Sequence, residues 1–151
     1  MGILRMGPPA DLILDLAMRY KVDSFVETGT FQGGTTLWAS QHFGSVITVE
    51  NSKTIYDVAL KRFEMTRNVQ CLCGDSRSQL KTIVGNRSSP AIIWLDSHWC
   101  GGESYGETDQ CPLLQELEIL NSVSMQHLLF IDDARLFTSP PPLPNRVEEW
   151  P

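Results

Sequence analysis

The apolar positions along this chain change period repeatedly, and each change marks an element. After Pro8 and Pro9, the residues Leu12, Ile13, Leu16, Ala17 and Met18 recur at helical spacing, so a helix begins there. Residues 24–27 read as a short strand that runs into the glycine-rich turn Thr28-Gly29-Thr30-Phe31-Gln32-Gly33-Gly34. A helix over 35–43 is stopped by Gly44. Residues 46–50 are a second strand, rich in β-branched residues and apolar on both faces. Helical spacing returns over 53–65, with Ile55, Val58, Ala59 and Phe63 as its apolar stripe. A third strand at 69–73 closes on Gly74-Asp75-Ser76, and a helix follows through Leu80 and Val84. Residues 91–96 form a fourth strand, apolar until Asp96. A helix over 112–120 and a fifth strand over 127–132, ending on Asp132, complete the pattern.

Strands alternating with helices predict an α/β fold: a Rossmann-like parallel sheet with right-handed crossovers and helices on both faces. In such sheets ligands bind beyond the carboxyl ends of the strands. Those ends carry Glu27, Glu50, Asp75, Asp96 and Asp132. Acids present only for solubility would scatter over helix faces. Their collection at one sheet edge is the strongest functional signal in the sequence.

Composition narrows the class. With 151 residues, 42% apolar and 20% charged, the chain is sized for one domain with an ordinary core. The domain is expected over residues 1–135, followed by a proline-rich tail over 136–151. A net charge of -6 argues against a reader of phosphate backbones, so no nucleic-acid partner is expected. No apolar run approaches the roughly 20 residues of a membrane helix, and the start lacks the apolar core of a signal peptide. No membrane partner is expected, and the location is read as cytoplasmic. Cys71 and Cys73 share one face of their strand and are read as small packed hydrophobes. Cys100 and Cys111 flank a polar loop at a spacing that matches no zinc pattern, so free thiols are expected.

The first loop separates ligand classes. A dinucleotide fold wants G-x-G-x-x-G, and Phe31 stands where its second glycine belongs. A P-loop is excluded, because no Gly-Lys-Ser/Thr follows. An acid at Glu27, above the turn formed by Thr28, Gly29, Thr30 and Gly33, suits S-adenosylmethionine (SAM), which carries an ammonium and a sulfonium; it would repel a diphosphate. Glu50 sits where a carboxylate accepts both ribose hydroxyls. Asp75 reaches the adenine amino group, with Ser76 capping the next helix.

With these residues the chain resembles class I SAM-dependent methyltransferases, and more narrowly the macrocin O-methyltransferase and cephalosporin hydroxylase-like group. The likeness covers roughly residues 22–135 and rests on Glu27 to Gly34, on Asp96-Ser97-His98 after the fourth strand, and on Asp132-Asp133 after the fifth. It implies a SAM cofactor and a small-molecule substrate. It also implies a divalent cation held by Asp96, Asp132 and Asp133, for which three carboxylates suit Mg²⁺. Asp96 and His98 are the expected catalytic residues, His98 as the base that takes a proton from a hydroxyl.

Within the polar, glycine-rich stretch 97–110, residues 100–109 read as a lid or a disordered loop, with Glu103 and Tyr105 as candidate substrate contacts. The family fold adds two further strands after the fifth, the last antiparallel, whereas only a short proline-rich stretch follows Asp133. The sheet is therefore expected to lack those strands, and its open edge to be covered by Phe137, Leu143 and Trp150 of the tail or by a second copy of the chain. Two functions are consistent with these features: methyl transfer to a hydroxyl of a sugar or natural product, or a truncated or degenerate SAM-binding domain that acts as a binding or assembly module. A nicotinamide-dependent dehydrogenase is disfavoured by Phe31 and Glu27.

Overall fold

The structure, a computed structural model, describes residues 7–99, 106, 109–137, 143 and 145–151. Its elements follow the expected alternation: α1 (Ala10–Tyr20), β1 (Ser24–Thr28), α2 (Gly34–Ser40), β2 (Ser45–Glu50), α3 (Lys53–Phe63), β3 (Val69–Cys73), α4 (Ser76–Gly85), β4 (Ile92–Leu95), α5 (Leu113–Asn121) and β5 (Leu128–Ile131). Short 3-10 turns follow at Ala134–Phe137 and Val147–Glu149. The strands form one parallel sheet in the order β3-β2-β1-β4-β5. Among the described residues no strand follows β5.

Two cores flank this sheet. Ile13 and Ala17 of α1 and Ala39 of α2 pack with Phe43 against Phe25, Val46, Ile92 and Trp94. On the other face, Leu80, Ile83 and Val84 of α4 and Leu113 and Leu120 of α5 cover Val26, Val49, Ile93 and Leu95. Burying each of the valines, leucines, isoleucines and phenylalanines among them is worth about 1.5–3 kcal/mol. Strands β1 and β4 are buried along their whole length; β4 accordingly reads as a continuous apolar run, whereas β1 buries Ser24, Glu27 and Thr28 beside Phe25 and Val26.

Helix phases differ in part from the sequence reading. In α1 Ile13 and Ala17 are buried against the sheet and Leu14 packs beside them, while Leu12 and Met18 are exposed. In α3, Ala59 and Phe63 are buried but Val58 is exposed. Helix α4 is capped by Asp75, whose side chain accepts from the amides of Arg77 and Ser78; Ser76, expected as the cap, is instead its buried first residue. Cys71, Cys73 and Cys111 are half-buried free thiols. No described helix is long and apolar enough to cross a membrane.

Of the three expected tail anchors, the structure describes the side chains of two. Leu143 is exposed and anchors nothing. Trp150 is buried, and it lies against the site side of the domain rather than along β5, whose Leu129 and Ile131 remain exposed. The side chain of Phe137 lies outside the described residues.

Candidate active site

Chain order reverses beside β1, with β2 and β3 to one side and β4 and β5 to the other. The loops leaving β1 and β4 diverge there and open a crevice at the carboxyl edge. A cleft of about 300 Å³ occupies it, walled by Gly29 and Phe31, Glu50, Asp75 to Arg77, Asp96 and His98, and Asp132 with Asp133.

Gly29 is fixed by a close approach. Its φ is +88°, and a Cβ at this position would lie 2.1 Å from the carbonyl oxygen of Asp96. No residue with a side chain fits both conditions. The turn is pinned further by the amides of Gly29 and Thr30, both donating to Val49 O at 2.9 and 3.2 Å. Gly33, at φ +72°, begins α2, and a Cβ there would meet the Phe63 ring at 2.8 Å.

Of the eight expected cofactor residues, four line the cleft: Gly29, Glu50, Asp75 and Ser76. Glu27, Thr28, Thr30 and Gly33 lie behind its wall. Glu27 is almost fully buried at 1% exposure. Its Oε2 accepts from the Thr36 hydroxyl and, at 2.7 Å, from the Thr48 hydroxyl. Burial pushes its carboxyl up to about 7, against the pull of those hydroxyls. Thr30 and Thr48 join hydroxyl to hydroxyl at 2.6 Å. The acid therefore braces the turn from beneath.

Glu50 points the other way. Its Oε2 accepts from the Phe31 amide at 2.9 Å and its Oε1 from the Ser52 amide at 2.8 Å. Each carboxylate oxygen has a second lone pair, so the side chain is oriented and still able to accept. Phe31 makes this contact from the left-handed region, at φ +45°. Asp75 is more fully engaged. Besides capping α4 it receives the Arg77 guanidinium at 3.0 and 2.5 Å, which holds its carboxyl below the usual range. Little acceptor capacity remains for an adenine amino group. Arg77 also pairs with Asp109 at 2.7 Å and so ties the far end of the 97–110 stretch to the start of α4.

The opposite wall gathers Asp96, His98, Asp132 and Asp133. Asp96 is pushed up to about 8, first by burial and then by the charge of Asp132, although the Trp94 indole donates to it at 3.3 Å. His98 stands between two carboxylates, its Nδ1 3.5 Å from Asp96 and its Nε2 3.4 Å from Asp133. Burial pulls its pKa below the ordinary value. Asp133, in the left-handed region at φ +48°, also receives Arg135 at 2.5 Å.

This wall carries the three carboxylates expected to hold a cation, Asp96, Asp132 and Asp133. Among the described residues no cluster of carboxylates, imidazoles and thiols is disposed to hold a metal ion. Asp96, Asp132 and Asp133 share the edge, but His98 occupies the gap between Asp96 and Asp133, and Arg135 already compensates Asp133. The residues do not fit a three-carboxylate Mg²⁺ site in this form.

Several residues were absent from the sequence reading. Gln110, 1% exposed, fastens the tail: its Oε1 accepts from the Arg146 backbone amide at 2.8 Å and from Trp150 Nε1 at 3.3 Å, and its backbone N–H donates to Glu149 Oε2 at 3.2 Å. The Trp150 ring then lies 5.5 Å from that of His98. No periodicity announces contacts between residues so far apart in the chain. Arg77 was findable, since a basic residue two after a capping acid can fold back on it. Glu103, Tyr105 and Cys100 lie outside the described residues.

No protein-family model matches the sequence, and no curated protein does. Solved structures do match. The O-methyltransferase TomG of Streptomyces achromogenes, involved in tomaymycin synthesis and solved in complex with SAM, superposes with a TM-score of 0.65 at 16% identity, over 97% of this chain and 66% of that one. An O-methyltransferase from Bacillus cereus, solved with S-adenosylhomocysteine (SAH), gives 0.51 at 20% identity, over 75% of this chain and 52% of that one. The 23S rRNA methyltransferase ErmE gives 0.53 at 11% identity, over 82% and 44%. The chain thus has the fold of SAM-dependent methyltransferases and spans between about half and two thirds of the length of the two O-methyltransferases.

Proposed function

We propose that the chain binds SAM in the cleft and transfers its methyl group to a hydroxyl of a small molecule. The observation that carries this reading is Glu50. It is a carboxylate at the end of β2, held by the Phe31 and Ser52 amides with a lone pair left on each oxygen, and it stands on the cleft wall beside Gly29. A vicinal diol such as a ribose satisfies that geometry with two charge-assisted hydrogen bonds. The methionine end of the cofactor then lies over the Gly29 turn, and the sulfonium faces Asp96 and His98.

Transfer is an in-line displacement. The acceptor oxygen forms its bond to the methyl carbon while the carbon–sulfur bond breaks and the sulfur keeps the electron pair, leaving SAH. The acceptor's proton goes to His98, which burial keeps neutral near pH 7, and the imidazolium is compensated by Asp133 and Asp132. Asp96 holds a proton over the same range, so the Asp96–His98 contact carries one proton rather than two. No step is routed through a cation. A small-molecule acceptor agrees with the acidic chain, although ErmE shows that the same fold also serves an RNA methyltransferase.

A second reading is a SAM-binding domain that does not transfer by itself. Calorimetry with SAH, and with NAD as the control, tests the shared premise. SAH binds and NAD does not, and Glu50→Ala weakens SAH by roughly 10- to 100-fold, the loss of hydrogen bonds to a charged acceptor. Unchanged SAH binding in Glu50→Ala refutes the placement of the ribose. Transfer of a labelled methyl group to a panel of hydroxyl acceptors separates the two readings.

A further inference from the structure

Helix α5 presents Leu113, Glu116 and Leu120 to the sheet. Two of these positions hold leucine, as a core-facing stripe should; the third holds an acid that is 1% exposed. An ionised carboxylate at such a place costs several kcal/mol unless paired, and burial indeed pushes Glu116 above the ordinary carboxyl range. Among the described residues its Oε1 has no hydrogen-bond partner. Packing alone favours an apolar residue here, so the acid needs another explanation.

Its surroundings supply one. The carboxyl lies beside the hydroxyls of Ser76 and Thr28. Thr28 is the last residue of β1, directly before Gly29, and its hydroxyl receives the Asp96 amide at 3.4 Å. Ser76 opens α4, directly after Asp75, and forms part of the cleft wall. The same acid borders a small cavity of about 10 Å³ shared with Ser97, His98 and Asp132, enough for about one water molecule. One buried side chain thus touches the strand end that carries the glycine turn and the helix start that carries the adenine side, and it sits beneath the catalytic pair.

We propose that Glu116 is a positioning residue for the cofactor cleft, setting the spacing between the end of β1 at Thr28 and the start of α4 at Ser76. The proposal rests on the SAM reading of the cleft. Glu116 does not touch the cofactor; it acts through the two hydroxyls. Glutamine keeps an oxygen and a polar hydrogen at the same reach, aspartate falls one methylene short, and leucine keeps only the volume.

The experiment compares Glu116→Gln, Glu116→Asp and Glu116→Leu with the parent chain, measuring SAH affinity by calorimetry and thermal unfolding on the same samples. Expected is an SAH affinity within about threefold of the parent for Gln and about tenfold weaker for Leu, equivalent to about 1.4 kcal/mol, with Asp between them. The melting temperature of Leu equals or exceeds that of the parent, because a buried acid with one oxygen left without a partner has been removed. Affinity and stability therefore move apart, which a merely structural role does not produce. Parent-like SAH binding by Glu116→Leu overturns the proposal, as does an equal loss in Leu and Gln that tracks falling melting temperatures. Should Leu fail to fold, a folded Asp variant that binds as tightly as Gln overturns it equally. A parent chain that folds but binds no SAH overturns the cofactor reading and this proposal with it; a parent that binds while Leu is unaffected overturns this proposal alone.

Discussion

Replacing Glu27 by glutamine is the most direct measure of how the glycine turn is supported. Glu27 lies beneath the turn, braced by Thr36 and Thr48, and burial pushes its carboxyl up to about 7 from an ordinary 4.5. One pKa unit is worth about 1.4 kcal/mol, so ionising this side chain costs the fold roughly 3 kcal/mol. The sign follows from proton counting. Between pH 4.5 and 7 the unfolded chain has released the proton while the folded chain still holds it, so stability falls as pH rises through that window and levels off above it. Glutamine cannot ionise and keeps an oxygen for both hydroxyls. Glu27→Gln is therefore expected to exceed the parent in stability at pH 8 by up to roughly 3 kcal/mol, with the advantage gone near pH 4.5. Urea unfolding of both chains at half-unit pH steps measures the difference. Asp96 titrates in a similar range but is present in both chains, so subtraction removes its share apart from the charge Glu27 places on it. An advantage that stays constant from pH 4.5 to 8, or a parent that is the more stable at pH 8, refutes the account of Glu27 as a buried brace.

Gly29→Ala places a Cβ 2.1 Å from the Asp96 carbonyl oxygen at a φ of +88°. The left-handed conformation alone costs about 1–2 kcal/mol, and with the clash the variant should melt well below the parent and bind no SAH; parent-like behaviour in both would mean that β1 and β4 do not meet as described. Trp150→Ala removes the indole that donates to Gln110 and packs near His98. Hydrogen exchange at the Gln110 and Arg146 amides should accelerate strongly while the amides of β1 and β4 stay protected, and unchanged exchange at Arg146 would refute the docking of the tail.

The strands were legible because their physics is local. A buried parallel strand must be apolar on both faces, so 46–50 and 91–96 announce themselves within a few residues, and the acid that ends each marks the edge where ligands bind. Helix phase was less legible. Leu12, Met18 and Val58 fit a helical stripe by spacing, yet the surface a helix buries depends on how it crosses the sheet, and only Ile13, Ala17, Ala59 and Phe63 reach the interior. The acids at the edge divide in a way that spacing cannot express. Glu50 faces the cleft because backbone amides of the β1–α2 turn and of its own loop hold it there, whereas Glu27 turns inward because hydroxyls of α2 and β2 donate to it. Asp75 is occupied by Arg77, and the Asp96, Asp132 and Asp133 set is divided by His98.

The same comparison shows which deviations from pattern carry information. Glu116 breaks an otherwise apolar stripe between Leu113 and Leu120, and that conflict stands in the sequence itself, visible without any partner being known. Gln110 and Trp150 break no pattern, and their union appears only when the chain ends its path beside His98. A residue that contradicts its local environment is legible as a candidate from one sequence, because the cost of its burial must be offset somewhere. A residue that merely completes a distant contact is not, because its local environment is satisfied either way. The acids of this fold fall on both sides of that line: Glu116 contradicts its helix, while Glu27 and Glu50 each fit a strand end and are told apart only by the partners that the fold brings to them.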